Sequence, residues 1–519
     1  MDPRRSRLVC EAVAIAWGSV LPVAMVHAQF TLPAEGEARQ SPPAILEVSS
    51  QIGATDNGHL DPKGQERSDV ILSVRPQLRM SRRSAAMKFD LDAAVTLFGY
   101  TNGSQQGGAV PDLRASLQST LVDRWVYLDA RAHIRQSEAD EFGTRAYQGS
   151  DVNRRIEGIY QISPYIEREI DSNTTALVRH DLGLTIHPAG DSAQLLTNQT
   201  LARITRKPTP IGGTIELSRL DTETRRATSN RFTIEGRRAQ GTFAVAEHVV
   251  LGAIVGMDRS RFAGTDYTDT RYGAAVQWNP GPRTELSAEL EHRFFGRSGS
   301  FLFRHRMPSM SFSINASRQP VLETSSFGVR SGADVRNFLD AILTTRYPDP
   351  ATREGVVDQV VASRGLDTRS PGAVDIVANY PQLVTNVQAD WTWLSARNAA
   401  SLILYAQTRT RLSREGDPLA SSTLSTTDSR QSGGSVQFSR RLTPQLTANL
   451  LARWSKVKGV AAREGDVSDE RTLRLAMRQA LSPRTTAFAG VEHTRFSTTV
   501  AGYHDYSATL AFVGMSHRF

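Results

Sequence analysis

The chain has 519 residues, a net charge of +8, 39% hydrophobic residues and a single cysteine, Cys10. With one cysteine it can form no internal disulfide and no cysteine-rich metal site. Its basic residues are spread along the whole length and are nearly all arginine, the lysines being Lys63, Lys88, Lys207, Lys456 and Lys458. This spread argues against a nucleic-acid patch. It fits a GC-rich genome or an arginine-lined conduit for anions.

The first residues read as a secretory signal. Arg4, Arg5 and Arg7 precede an apolar run from Ala12 to Met25, and Val26-His27-Ala28 has the form of a cleavage site. The apolar run is too short for a helical membrane anchor. The expected organisation is a signal peptide at 1–28, a periplasmic N-terminal segment at 29–43 and one large unit at 44–519.

That unit alternates with period two, as strands do. Met87, Phe89, Leu91, Ala93, Val95 and Leu97 share one face, and Lys88, Asp90, Asp92 and Thr96 the other. Leu113, Ala115 and Leu117 stand against Arg114, Ser116 and Gln118. Val126, Leu128, Ala130, Ala132 and Ile134 stand against Asp129, Arg131, His133 and Arg135. Later, Leu286, Ala288 and Leu290 oppose Glu289 and Glu291, and Leu473, Leu475 and Met477 oppose Arg474 and Arg478. Charges at strand centres would be costly in a dry sandwich core and cheap in a wet lumen. Several runs also have the length a tilted strand needs to cross a bilayer.

Short connections, such as Val122-Asp123 and Thr443-Pro444, broadly alternate with long polar ones, such as Thr55–Ser68 and Gln136–Asn153. Outer-membrane barrels have short periplasmic turns and long external loops. The pattern therefore predicts an all-β, transmembrane, antiparallel outer-membrane β-barrel of about 22 strands, within a range of about 16–24. The predicted lumen-lining residues are Lys88, Asp90, Asp92, Arg114, Asp129, Arg131, His133, Glu289, Arg474 and Arg478. Trp125, Trp278, Trp391 and Trp393 suit interfacial aromatic girdles.

The rhythm stops over 319–384. Ala333 to Arg346 and Ala351 to Arg364 read as two short helices around Tyr347-Pro348-Asp349-Pro350, with Asp349 as the second helix's cap. The insertion is either a folded external loop or a plug, with residues near Asn337 to Leu366 narrowing the lumen. At the C-terminus, Val513, Met515 and Phe519 share one face of a final strand. They form the candidate barrel-assembly signal, although His517 sits where an aromatic is common.

No nucleophile elbow, P-loop, zinc-protease or dinucleotide motif is present. His292 and His305 lie near arginines but read as isolated polar positions. No catalytic, cofactor-binding or metal-ligating residue is expected. The segments Leu121–Ala132, Tyr160–Ile166, Phe295–Ser309 and Arg346–Val357 followed by Arg364–Leu366 resemble outer-membrane barrels of the PEP-CTERM/exosortase system of exopolysaccharide-producing Gram-negative bacteria. That resemblance implies a conduit or secretion component linked to exopolysaccharide assembly or export. The expected partners are outer-membrane lipid, the barrel assembly machinery, polysaccharide export components and anionic polysaccharide, without nucleic acid. The alternatives are a non-conducting surface barrel that binds glycan or anchors proteins, and a membrane-embedded hydrolase.

Overall fold

The computed structural model describes residues 44–145, 152–186, 194–225, 230–262, 265–321, 335–344, 346–364, 366, 382–412 and 428–519. The expected signal peptide and the 29–43 segment lie outside them. Twenty-two strands follow one another along the chain. The first eight are β1 (Ile45–Thr55), β2 (Asp69–Arg83), β3 (Met87–Tyr100), β4 (Gly108–Val122), β5 (Val126–Glu138), β6 (Arg154–Glu169), β7 (Thr174–Ile186) and β8 (Gln194–Arg206). The next seven are β9 (Ile211–Arg225), β10 (Asn230–Ala246), β11 (Val249–Phe262), β12 (Thr265–Gly281), β13 (Thr284–Arg293), β14 (Gly296–Arg306) and β15 (Met310–Val321). The last seven are β16 (Gln382–Leu394), β17 (Asn398–Arg411), β18 (Ser429–Arg441), β19 (Leu446–Gly459), β20 (Val467–Ala480), β21 (Thr485–Thr498) and β22 (Tyr506–Arg518).

Each strand pairs antiparallel with its neighbour in sequence, and β1 pairs with β22, with Ile52 opposite Val513 and Ser50 opposite Met515. The sheet is therefore closed and has no free edge. Directly opposed residues share a face, so the registers assign both faces of the wall. Leu91, Leu117, Leu128, Leu290 and Leu450 all fall on the outward face. Ile52, Leu72, Val178, Ile215, Val255, Leu475 and Val513, on the same face, are 40% or more exposed and form an apolar exterior. Backbone groups saturated around a closed ring and an apolar exterior together suit hydrocarbon. The protein is a transmembrane barrel of the Gram-negative outer membrane.

Trp125, Trp278, Trp391 and Trp393 gather at the short-turn end, which marks the periplasmic interface. The regular strands run further than the sequence boundaries implied. Asp221–Asn230 reads as a loop, yet β9 continues to Arg225 and β10 starts at Asn230, and the 319–384 break narrows to the stretch between Val321 and Gln382. At Asp221–Asn230 the outward residues Asp221, Glu223 and Arg231 are polar and sit above the lipid band, where hydrophobic alternation no longer reports strand.

Two helices occupy the β15–β16 connection, α1 (Val335–Leu343) and α2 (Pro350–Arg364). Val335, Leu339 and Leu343, four apart, are buried against Val357, Val356, Val360 and Val361 of α2. Asp349 caps α2 by accepting from the Thr352 backbone N–H at 2.9 Å, and Pro350 stands first in the helix.

Candidate functional site

The inward face of the wall is a ladder of arginines and carboxylates. Arg75 meets Asp112 at 3.2 Å, Arg135 meets Glu157 at 2.9 Å, and Arg203 meets Glu216 at 2.6 Å. Arg179 bridges Asp129 at 2.9 Å and Asp181 at 2.8 Å. The densest rung lies on β10–β13. Arg238 reaches Glu289 at 2.6 Å and Glu291 at 2.9 Å, Arg271 reaches Glu291 at 2.5 Å, and Arg293 reaches Asp258 at 2.7 Å. Most of the ladder therefore neutralises itself.

Two segments enter this lumen. At the long-loop end, residues 139–145 leave β5 and cross to the far wall. Phe142 is fully buried, beneath the Arg463 guanidinium at 3.8 Å. Glu141 accepts from the Ser429 hydroxyl at 2.6 Å and the Gln431 amide at 2.9 Å. Thr144 donates to Glu470 at 2.9 Å and pairs with Tyr506, and Arg145 donates to the Tyr405 hydroxyl at 3.2 Å. Burial, then the nearby Asp140 carboxylate, pushes the Tyr503 hydroxyl up to about 12, so Tyr503 remains a donor to Asp140, at 3.0 Å.

Burial pushes the Glu141 carboxyl above its ordinary 4.5, against the hydrogen bond from Ser429 and the attraction of Arg409. A carboxyl whose value rises on docking favours the docked loop while protonated. That contribution is complete below 4.5 and is lost as pH rises through the raised value. Hydrogen exchange at residues 139–145 should accordingly show less frequent loop opening at pH about 5 than at pH about 8, after correction for intrinsic exchange. In Glu141→Gln the difference should shrink; a difference that survived in full would place the titration elsewhere.

At the short-turn end stand α1 and α2. Their connection leaves the wall at Val321 and rejoins it at Gln382, both at the long-loop end. Yet Arg364 donates to the carbonyls of Ser395 at 3.0 Å and Ala396 at 2.7 Å, in the β16–β17 turn. Ser439 donates to the Arg364 carbonyl at 2.7 Å and Thr447 to the Ser363 carbonyl at 3.2 Å. Across the mouth, Glu354 pairs with Arg83 at the end of β2. The helical pair thus spans the periplasmic opening from inside. Between α1 and β12–β16 lies a cavity of about 990 Å³, lined by Arg283, Arg304, Arg306, Asn315, Gln388 and Asp390 among others.

The residues predicted to line the lumen all have inward register but do not form one site. Lys88 stands 4.0 Å from Asp90, which accepts from Ser81 at 2.6 Å; Asp92 accepts from Gln77 at 2.6 Å. Arg114, Asp129, Arg131 and His133 are inward on β4 and β5, and Glu289 joins the dense rung. Arg474 stands 3.7 Å from Glu492 and over the Phe512 ring; Arg478 lies two rungs below on the same face, with Ala476 between. Val513 and Met515 face outward, and the Phe519 backbone N–H donates to the Leu46 carbonyl at 2.9 Å. His292 and His305 face outward, against Tyr272 and Thr284 respectively.

Sequence reasoning missed Glu141, Thr144, Arg145 and Arg364. Their partners lie far away in sequence, and no local pattern marks them. Arg238, Asp258, Arg271 and Glu291 hold inward positions on consecutive strands, a signal readable only once the register is known.

No protein-family model matches this chain, and no curated protein matches it. Among solved structures, the siderophore receptor PirA from Pseudomonas aeruginosa is similar at 9% identity and a TM-score of 0.43, over 92% of this chain and 81% of its own. The FrpB iron transporter (F3-3 variant) from Neisseria meningitidis is similar at 8% identity and a TM-score of 0.48, over 92% of this chain and 82% of its own. What those proteins carry is a property of theirs; the barrel described here rests on its own strand pairing.

Proposed function

We propose that this chain is a gated outer-membrane conduit whose cargo is an anionic polysaccharide. The observation that carries the reading is the helical pair in the periplasmic mouth. Among the described residues it is joined to the wall by a handful of polar contacts and by Leu394 of β16, which packs against the helices' apolar cluster. Four hydrogen bonds at Arg364, Ser363, Ser439 and Thr447 contribute roughly 2–6 kcal/mol in all. A latch of that size can be released by a partner or cargo that prefers the open state.

The polar, charged inward wall suits a hydrated cargo. Arg131, Arg453 and Arg478 face inward without an ion pair among the described residues, which favours a polyanion. The resemblance to exosortase-linked barrels points to exopolysaccharide, with export components at the periplasmic mouth and the barrel assembly machinery inserting the wall.

The test is current blockade in planar bilayers, using a barrel whose residues 335–366 are replaced by a short flexible linker. Uronate oligomers should block at concentrations about tenfold lower than neutral dextrans of equal size, given a few charge-assisted contacts. Equal blockade would remove the anionic cargo and leave the conduit. No current from this barrel, nor from one that also lacks the loop at 139–145, would favour the non-conducting surface barrel instead.

A further inference from the structure

The outward wall carries two belts of charge above the lipid band, built in opposite ways. On β9–β12 the register sets Arg219 and Arg259 opposite Glu235, and Arg261 opposite Asp266. Arg219 bonds Asp221 at 2.7 Å and Arg261 bonds Asp266 at 2.7 Å. This belt satisfies itself.

The belt on β18–β21 does the reverse. Arg430 lies directly opposite Lys458, and Arg471 directly opposite Arg495. Lys456 stands between these pairs, facing Asp469. Like charges directly opposed across strands destabilise a sheet. Asp469 is the one outward carboxylate among these positions and bonds Arg471 at 3.0 Å. Arg430, Lys456, Lys458 and Arg495 are exposed and make no ion pair among the described residues. Two of the chain's five lysines are in this patch.

Position identifies the anion these cations suit. Two residues below Lys456 on the same face is Trp454, 39% exposed, and two below Arg471 is Leu473, 47% exposed. Trp454 marks the outer interface, because its amphipathic ring suits headgroup depth. The cations therefore stand at and just above the headgroups of the outer leaflet, on the wall that lipid touches. Neighbouring strands are about 4.8 Å apart, so the four strands β18–β21 hold these cations within the width of one bulky headgroup.

We propose that Arg430, Lys456, Lys458, Arg471 and Arg495 bind the phosphates of an outer-leaflet phosphorylated glycolipid, whose acyl chains lie against Leu450, Leu473 and Leu475. Bound phosphate would relieve both like-charge pairs at once. The site goes beyond the conduit reading and does not depend on it.

The test uses the full chain in detergent and native mass spectrometry, with bis-phosphorylated lipid A and its dephosphorylated form as probes. The intact barrel should retain the phosphorylated lipid and release the dephosphorylated one. Lys456→Gln/Lys458→Gln and Arg471→Gln/Arg495→Gln should each weaken retention about tenfold or more, as expected for charge-assisted hydrogen bonds lost. Arg259→Gln/Arg261→Gln, in the self-paired belt, should retain lipid as the unaltered chain does. Heat-modifiable migration on gels confirms that each variant is folded. The proposal is overturned if both lipid forms are retained equally, if the self-paired variant loses lipid equally, or if neither β18–β21 variant weakens retention. Inorganic phosphate provides the last arm. If it displaces the lipid at equal concentration, the cluster is an ion site and not a glycolipid site.

Discussion

Replacing residues 335–366 with a short flexible linker should raise single-channel conductance roughly tenfold or more, because a lumen of 22 strands is wide enough to need an obstruction. The helical pair is that obstruction at the periplasmic mouth, reaching from the β16–β17 turn to Arg83 on β2. None of the wall's strand pairing passes through it, so the variant should migrate on gels as a heat-resistant barrel. Cells carrying it should become sensitive to large antibiotics. The loop at 139–145 provides a second constriction, held by Glu470, Gln431 and Tyr405. If the variant conducts no better, a second variant that also lacks 139–145 decides the matter. Current from the double variant alone would make the outer loop the limiting barrier. Current from neither would remove the conduit reading.

Asp258→Ala should lower stability by about 3–5 kcal/mol, the cost of leaving a buried cation without its partner. Asp258 is 1% exposed, accepts from Arg293 at 2.7 Å and lies 3.8 Å from Arg271. In this rung Arg238, Arg271 and Arg293 hold Asp258, Glu289 and Glu291, and Asp269 faces Asp258 across β11–β12. Alanine leaves the Arg293 guanidinium without its acceptor. Asp258→Asn keeps an acceptor for Arg293 and should lose less. The urea midpoint for unfolding from bilayers reads both. A loss below about 1 kcal/mol for alanine would mean that water screens the rung as it would a surface pair, and that this part of the lumen is wet.

Much of the wall was legible in the sequence, because lipid outside and polar groups inside impose a period that every crossing must repeat. Met87–Leu97 and Leu446–Trp454 show it directly. The helices were legible for the same kind of reason: Val335, Leu339 and Ile342 keep helical spacing, and Asp349-Pro350 begins a helix. What fills the lumen was not. Glu141 meets Ser429 and Gln431 nearly three hundred positions later in the chain, and Arg364 meets carbonyl groups, which carry no side-chain signature. Nor did alternation reveal which charges were matched. The β9–β12 belt sets Glu235, Asp221 and Asp266 among its arginines, while the β18–β21 belt has Asp469 alone among five cations, and only the register shows which of them stand face to face.

The pairing of β1 with β22 decides how this molecule can come apart. Glu47 and Arg518 are partners in that seam, with Arg518 donating to the Glu47 carboxylate at 3.0 Å. A soluble sheet frays from its outermost strand, because water receives each amide as it is released. Here the first and last strands are interior members of a ring, and hydrocarbon offers their amides nothing. Each unpaired group would cost several kcal/mol, so opening the seam by one strand exposes two long unsatisfied edges together. Unzipping by stages is therefore forbidden, and the cylinder either persists whole or is lost whole. The same ring that cannot loosen by degrees leaves its contents free to move, since the segments crossing the lumen contribute nothing to its closure.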